Sequence, residues 1–205
     1  MIRVEVEQGT EKWLSARLGI PTSSCFDKIL TPLMLKPGKA TAYLLTLLAE
    51  WSIGEPLDGG ESLEMMRGTA AEKQARSYYE FQRDVKVEQV GFLLTDDRRV
   101  GCSPDGLVGD SGGIEIKCPM AKGMMGYLLA DDPSLAHRGQ IQGSLWVTGR
   151  EWWDLCVWHP FLPSIIHRCY PDPEWQEAFS VAIADFLGRL DEAKDHLRGL
   201  GVERE

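Results

Sequence analysis

Ser103-Pro104-Asp105-Gly106, followed after a glycine-rich turn by Ile114-Glu115-Ile116-Lys117, sets two carboxylates and a lysine where one hard divalent cation and one water can be held together. The run from Gly112 to Cys118 reads as a short strand. Side chains alternate faces along a strand, so Glu115 and Lys117 point one way while Ile114 and Ile116 point the other. At about 3.3 Å of rise per residue the two polar groups stand roughly 6.6 Å apart along the strand. Asp105 precedes Gly106, where the chain must bend back, and a hairpin there carries its carboxylate to the same edge. Magnesium takes near-octahedral oxygen ligands, keeps several waters, and is bound by one or two carboxylates plus a substrate phosphate. Asp105 and Glu115 supply that pair, and the main-chain carbonyl of Ile116 adds a third oxygen. A charged Lys117 has no lone pair for a metal, but beside one it orients a water or neutralises charge developing on a phosphorane.

Taken singly, each piece has an ordinary reading. An Asp-Gly step is a common turn, and a Glu-x-Lys pair on an exposed strand face is a solvated ion pair of little energetic value. The Ile-x-Ile register and the stop at Cys118-Pro119 instead specify a strand inside a sheet. Other polar residues stay open between two readings. Trp13 and Leu14 form the apolar side of a short helix on which Arg17 is a surface residue. Thr22-Ser23-Ser24 after Pro21 reads as a helix N-cap, and a capped helix start is also an anion site. Glu72 lies in a run of strong helix formers from Glu61 to Glu80, where a solvent-facing glutamate is ordinary; Gly68 nearby allows close approach of a ligand or another backbone. Met65 and Met66 read first as core. Gln140 sits on a half-buried helix and by itself is an ordinary surface amide.

The elements that must position these residues follow an α/β plan. The patterns predict helices near 11–18, 22–31, 39–53, 61–82, 120–130, 134–148 and 173–198. Strands are predicted near 85–94, 98–103, 106–109, 113–118, 152–158 and 164–169, forming a mixed β-sheet core flanked by helices. Residues 36–39 and 54–60 are expected to be loops, and residues 1–205 a single domain.

Four blocks in order resemble the phage lambda exonuclease and YqaJ-like viral recombinase family of the PD-(D/E)xK nuclease superfamily. The first runs from Val6-Glu7-Gln8-Gly9 through Trp13, Arg17, Leu18 and Gly19 to Thr22-Ser23-Ser24. The second is Arg67-Gly68 with Glu72, the third Ser103 to Pro119, and the fourth Gln140-Ile141-Gln142 with Leu145-Trp146-Val147-Thr148. The resemblance implies a restriction-endonuclease-like fold and an enzyme that digests the 5′-ended strand of duplex DNA ends to mononucleotides, leaving a 3′ overhang. It implies Asp105, Glu115 and Ile116 as metal ligands, Lys117 as the group handling the water, and Glu72 as a helix-borne helper in holding it. It places Arg17, Ser24, Ser103 and Gln140 around a terminal 5′ phosphate, and apolar side chains near Met65 and Met66 against the bases of the incoming end. Mg2+ is the expected cofactor, with Mn2+ substituting and Ca2+ binding without cleavage. A ring-shaped homotrimer and a single-strand annealing protein are the expected partners. A non-catalytic DNA-end-binding protein on the same fold is the alternative.

Composition sets outer bounds. With 205 residues and 43% hydrophobic content the chain buries roughly 70% of its unfolded surface. Cys25, Cys102, Cys118, Cys156 and Cys169 form no Cys-x-x-Cys pair, which argues for a reducing cytoplasm and against both a disulfide framework and an iron–sulfur quartet. The Asp105 to Glu115 stretch lacks the alternating oxygen ligands of an EF-hand. No signal or membrane-spanning segment is apparent. The net charge of -9 opposes general phosphate binding, so DNA contact requires a local basic channel, drawn from Arg17, Lys28, Lys36, Lys39, Lys117, Lys122 and Arg138.

Overall fold

The computed structural model describes residues 1–30, 39–57 and 63–202, with the side chains at 39 and 63–70 outside that description. Lys36, the side chains of Lys39, Met65, Met66 and Arg67, and parts of the two expected loops therefore lie outside the described residues.

Among the described residues eight strands form two sheets. β1 (Ile2–Val4), β3 (Phe92–Leu94) and β4 (Gly101–Cys102) pair antiparallel in the order β1-β3-β4. β2 (Val87–Glu88), β5 (Gly106–Val108), β6 (Gly112–Lys117), β7 (Trp152–Val157) and β8 (Ile165–Cys169) form a mixed sheet in that order, with β6 and β7 parallel and the other pairs antiparallel. The helices are α1 (Glu11–Arg17), α2 (Lys39–Ile53), α3 (Leu63–Arg83), α4 (Ala121–Leu128), α5 (Arg138–Thr148) and α6 (Pro173–Gly199). This is the helix-flanked mixed-sheet plan expected from the sequence, with two corrections.

The predicted strand 85–94 is two strands in two sheets. Gly91 lies so close to Val6 that a Cβ would stand 1.8 Å from the Val6 carbonyl oxygen, and the chain crosses from one sheet to the other there. The predicted helix 22–31 is a short 3-10 segment, Ser23–Lys28, whose Thr22 makes no side-chain cap. Its tight turns press Phe26 and Ser23 against α5 at Gly143, where a Cβ would stand 2.5 Å from the Phe26 ring.

Strand alternation sorts the core into two layers. Trp153, Leu155 and Val157 of β7 join Phe26, Ile141 and Leu145 with Trp175, Phe179, Ile183 and Phe186 of α6. Ile114, Ile116 and Cys156 face the other way, against Ala75 and Tyr79 of α3. α5 and α3 thus cover opposite faces of the five-stranded sheet. Among the described residues no helix is long and apolar enough to cross a membrane.

Candidate active site

The hairpin register brings the two carboxylates together. Gly106 pairs with Ile114, so Asp105 and Glu115 stand one step further along, opposite each other where β5 ends. Because β5 has ended, the Ile116 N–H is free of the ladder and donates instead to Asp105 Oδ2 at 2.6 Å. Glu115 and Lys117 share a face as period two requires. Lys117 Nζ lies 2.7 Å from Glu115 Oε1, and the glutamate is only 3% exposed.

Gln140, in the first turn of α5, closes this group from above. Its Nε2 donates to Glu115 Oε1 at 2.8 Å, and Lys117 Nζ donates to its Oε1 at 3.5 Å. Glu72 arrives from α3, paired with Arg76 one turn later. Tyr127 of α4 and His137 flank Lys117, with the Tyr127 hydroxyl 2.5 Å from His137 Nε2 and the rings stacked. Burial, with the nearby Lys117 charge, depresses the His137 pKa to about 4 and keeps it neutral. Sequence reasoning missed Tyr127, His137 and Arg76. Of these only Arg76, four residues after Glu72 and so on the same helix face, carried a local signal.

The electrostatics are those of crowded acids. Burial first, then the charges of Glu115 and Glu72, push the Asp105 carboxyl well above the ordinary range, against the opposing pull of the Ile116 N–H and Lys117. Burial also raises Glu72, with Arg76 pulling it back. Burial works against the Lys117 ammonium, but the charge and hydrogen bond of Glu115 outweigh it and hold its pKa above the usual lysine value. Among the described residues no group of three or more His, Cys, Asp and Glu side chains is arranged to hold a metal ion by itself. Two facing carboxylates, hard oxygens that repel each other, nevertheless fit a partly hydrated magnesium-type cation.

A second polar group gathers around Arg17. Its Nη1 donates to Ser103 Oγ at 3.2 Å and its Nη2 to Thr22 Oγ1 at 3.5 Å, with Ser24 Oγ 3.3 Å further on. Trp13 Nε1 donates to the same Ser103 hydroxyl at 3.0 Å, and the guanidinium lies 4.1 Å over the Trp13 ring. Arg17 is therefore part of an interior cluster and not a plain surface residue; burial lowers its pKa without neutralising it. Arg17, Ser24 and Ser103 are brought together in one polar group. Gln140 bonds at the carboxylate end, on the helix that packs against Ser23–Lys28, so the two groups adjoin across one helix–loop contact. Gln142 is structural: it donates to the Tyr170 carbonyl and accepts from the Asp172 N–H.

Solved structures share this arrangement of elements. LHK-Exo in complex with dAMP matches with a TM-score of 0.84 and 29% identity over 94% of this chain and 98% of that one. The alkaline exonuclease LHK-Exo from Laribacter hongkongensis matches at 0.77 and 29% identity over 93% and 100%. A phage related exonuclease from Haemophilus somnus 129PT, at 0.68 and 11% identity over 87% and 96%, shares the fold. No curated protein matches the chain. The model of the YqaJ-like viral recombinase domain matches residues 12–151, a stretch that takes in Arg17, Glu72, Asp105, Glu115, Lys117 and Gln140, and the chain belongs to that family.

Proposed function

We propose that this protein is a metal-dependent exonuclease that digests the 5′-ended strand of duplex DNA, releasing 5′-mononucleotides and leaving a 3′ single-stranded overhang for recombination by strand annealing. The observation that carries this reading is the convergence of Asp105, Glu115 and Lys117 at the open end of β6, with Lys117 Nζ 2.7 Å from Glu115. The 29% identical LHK-Exo, an alkaline exonuclease crystallised with a deoxynucleoside monophosphate, supports the same class.

In this reading Asp105, Glu115 and the Ile116 carbonyl hold Mg2+, which when bound supplies Lewis acidity at the scissile phosphate. The other steps belong to the chain's own side chains. Lys117, kept cationic by Glu115, donates to the attacking water or to the phosphoryl oxygens as their charge grows. Glu72, whose carboxylate burial makes more basic, accepts the proton of the attacking water. Gln140 holds the Glu115 carboxylate and the Lys117 ammonium in one setting. Arg17 with Ser24 and Ser103 receives the terminal 5′ phosphate, a guanidinium with hydroxyl donors being matched to phosphate oxygens. We assign the working form as a homotrimeric ring that acts with a single-strand annealing protein.

Linear duplexes with 5′-phosphate or 5′-hydroxyl ends, incubated with and without Mg2+, test this. Mononucleotides released from the phosphorylated 5′ strand only with the metal are expected. Release from the 3′ strand, or binding without any hydrolysis, would overturn it.

A further inference from the structure

Glu72 and the strand it serves are on opposite sides of the sheet. Glu115 and Lys117 point toward α5, whereas α3 packs on the face made by Ile114, Ile116 and Cys156. The charges of Glu115 and Lys117 nevertheless act on Glu72, and that of Glu72 on Asp105, so this part of α3 stands near the Lys117 end of β6. How far it reaches depends on where α3 is fixed along the sheet.

Polar contacts tie α3 to the sheet: Glu80 accepts from the Val87 N–H at 2.9 Å, Arg83 Nε stands 3.9 Å from Asp154 Oδ2, and Tyr79, the fully buried one of these side chains, bonds the same Asp154 oxygen. The hydroxyl of Tyr79, a side chain with 0% exposure, donates to Asp154 Oδ2 at 2.8 Å inside the apolar layer of Ala75, Val108, Ile114, Ile116 and Cys156. Asp154 is itself 0% exposed and sits on β7, paired in register with Ile114 on one side and Arg168 on the other. Arg168 donates to both of its oxygens, from Nε at 2.8 Å and Nη2 at 2.9 Å, and lies 3.6 Å over the Trp152 ring. The carboxylate is thus held rigidly by two strands, and the tyrosine attaches the helix to it.

The lengths agree. Glu72 precedes Tyr79 by seven residues, two helical turns on the same face, or about 10.5 Å at 1.5 Å per residue. Lys117 follows Ile114, the partner of Asp154, by three strand residues, or about 10 Å. Tyr79 on Asp154 therefore sets Glu72 level with Lys117. A slip of one residue moves the helix about 1.5 Å and turns it about 100°, which leaves the buried Tyr79 hydroxyl unpaired and takes one donor from the Asp154 carboxylate. Alanine and the aliphatic side chains of this layer offer no comparable penalty. We infer that Tyr79, through Asp154 and Arg168, is a positioning residue for the reaction: it sets the axial and rotational register of α3 and so delivers Glu72 to the site.

This inference rests on the proposed nuclease reading, and a double-mutant cycle separates the two. Single-turnover rates on a 5′-phosphorylated duplex are measured for the wild type, Tyr79→Phe, Glu72→Gln and the double variant. They are expressed per folded molecule, with the folded fraction taken from circular dichroism. Tyr79→Phe is expected to lower the rate about tenfold, since a misplacement near 1 Å can cost up to about a hundredfold. KM for the duplex is expected to stay within about twofold, because Tyr79 does not adjoin the phosphate group. In the Glu72→Gln background the same change is expected to cost less than about twofold, and para-aminophenylalanine at position 79, which restores a donor, to recover most of the rate. A wild-type rate in Tyr79→Phe, an equal fold-loss in both backgrounds, or no recovery with the amino analogue would overturn the positioning role while leaving the nuclease reading intact. An inactive wild-type protein would overturn both.

Discussion

Asp105→Asn should make the metal-free protein more stable while abolishing its activity. Asparagine keeps an oxygen for the Ile116 N–H, so the 2.6 Å hydrogen bond survives and only the charge is removed. Opposed residues of an antiparallel pair have Cβ atoms about 5 Å apart, and two like charges at that distance repel by about 3 kcal/mol at an effective dielectric of 20. Lys117 offsets part of this for Asp105, leaving a net relief of about 1.5 kcal/mol, which for a chain of this size raises Tm by about 3–6 °C. The sign with pH follows from the raised Asp105 pKa. The folded state binds the proton more tightly than the unfolded state, so the wild type loses stability as pH rises from the ordinary carboxylate range through the folded pKa. The variant's advantage is therefore full above the folded pKa and disappears as pH falls to about 4. Calorimetry in EDTA at pH 7.5 and 4 reads it, and added Mg2+ should raise Tm of the wild type and not of the variant. A variant less stable than the wild type at pH 7.5 without metal would show that the acids are not in repulsion, and the argument for a cation between them would fail.

Three further outcomes are expected. Lys117→Met should lower the single-turnover rate by at least about a hundredfold while changing the Mg2+ concentration for half-activity by less than about threefold, because the ammonium donates and does not ligate. Arg17→Ala should remove a preference for 5′-phosphorylated over 5′-hydroxyl ends of about tenfold to a hundredfold, the value of one or two charged hydrogen bonds, as read from initial rates on paired substrates. Arg76→Gln should move the acid limb of the pH–rate profile upward, since Arg76 is the cation that pulls the Glu72 pKa down most strongly; an unmoved limb would separate Glu72 from proton transfer.

Much of the site was legible because it depends on short spacing. Glu115 and Lys117 are two apart on a strand and must share a face whatever surrounds them, and their 2.7 Å contact bears this out. The bend expected at Gly106 is not there: Gly106 lies in β5 opposite Ile114 and the chain turns back at 109–111, so the register of that hairpin is what sets Asp105 opposite Glu115. The ordinary reading of Arg17 as a surface helix residue was not correct, because no local pattern shows that Ser103 and Thr22 close around it from distant segments. The helix expected at 22–31 shortened for a related reason: Gly143 draws Phe26 tightly onto α5, and the chain follows that contact in preference to its own capping pattern. The division of 85–94 into two sheets turned on the approach of Val6 to Gly91 across more than eighty residues.

The sequence by itself determined which chemical groups are present and which neighbours along the chain share a face, since both follow from side-chain identity and the two-residue period of a strand. The meeting of groups from separate elements was decided only by tertiary structure. Gln140 reaches Glu115 because α5 lies on that face, and Glu72 comes under the charges of Glu115 and Lys117 because α3, bonded to Asp154 through Tyr79, is held against the sheet. Helix placement on a sheet is set by packing and by buried polar bonds between residues distant in sequence, and local periodicity carries no record of either.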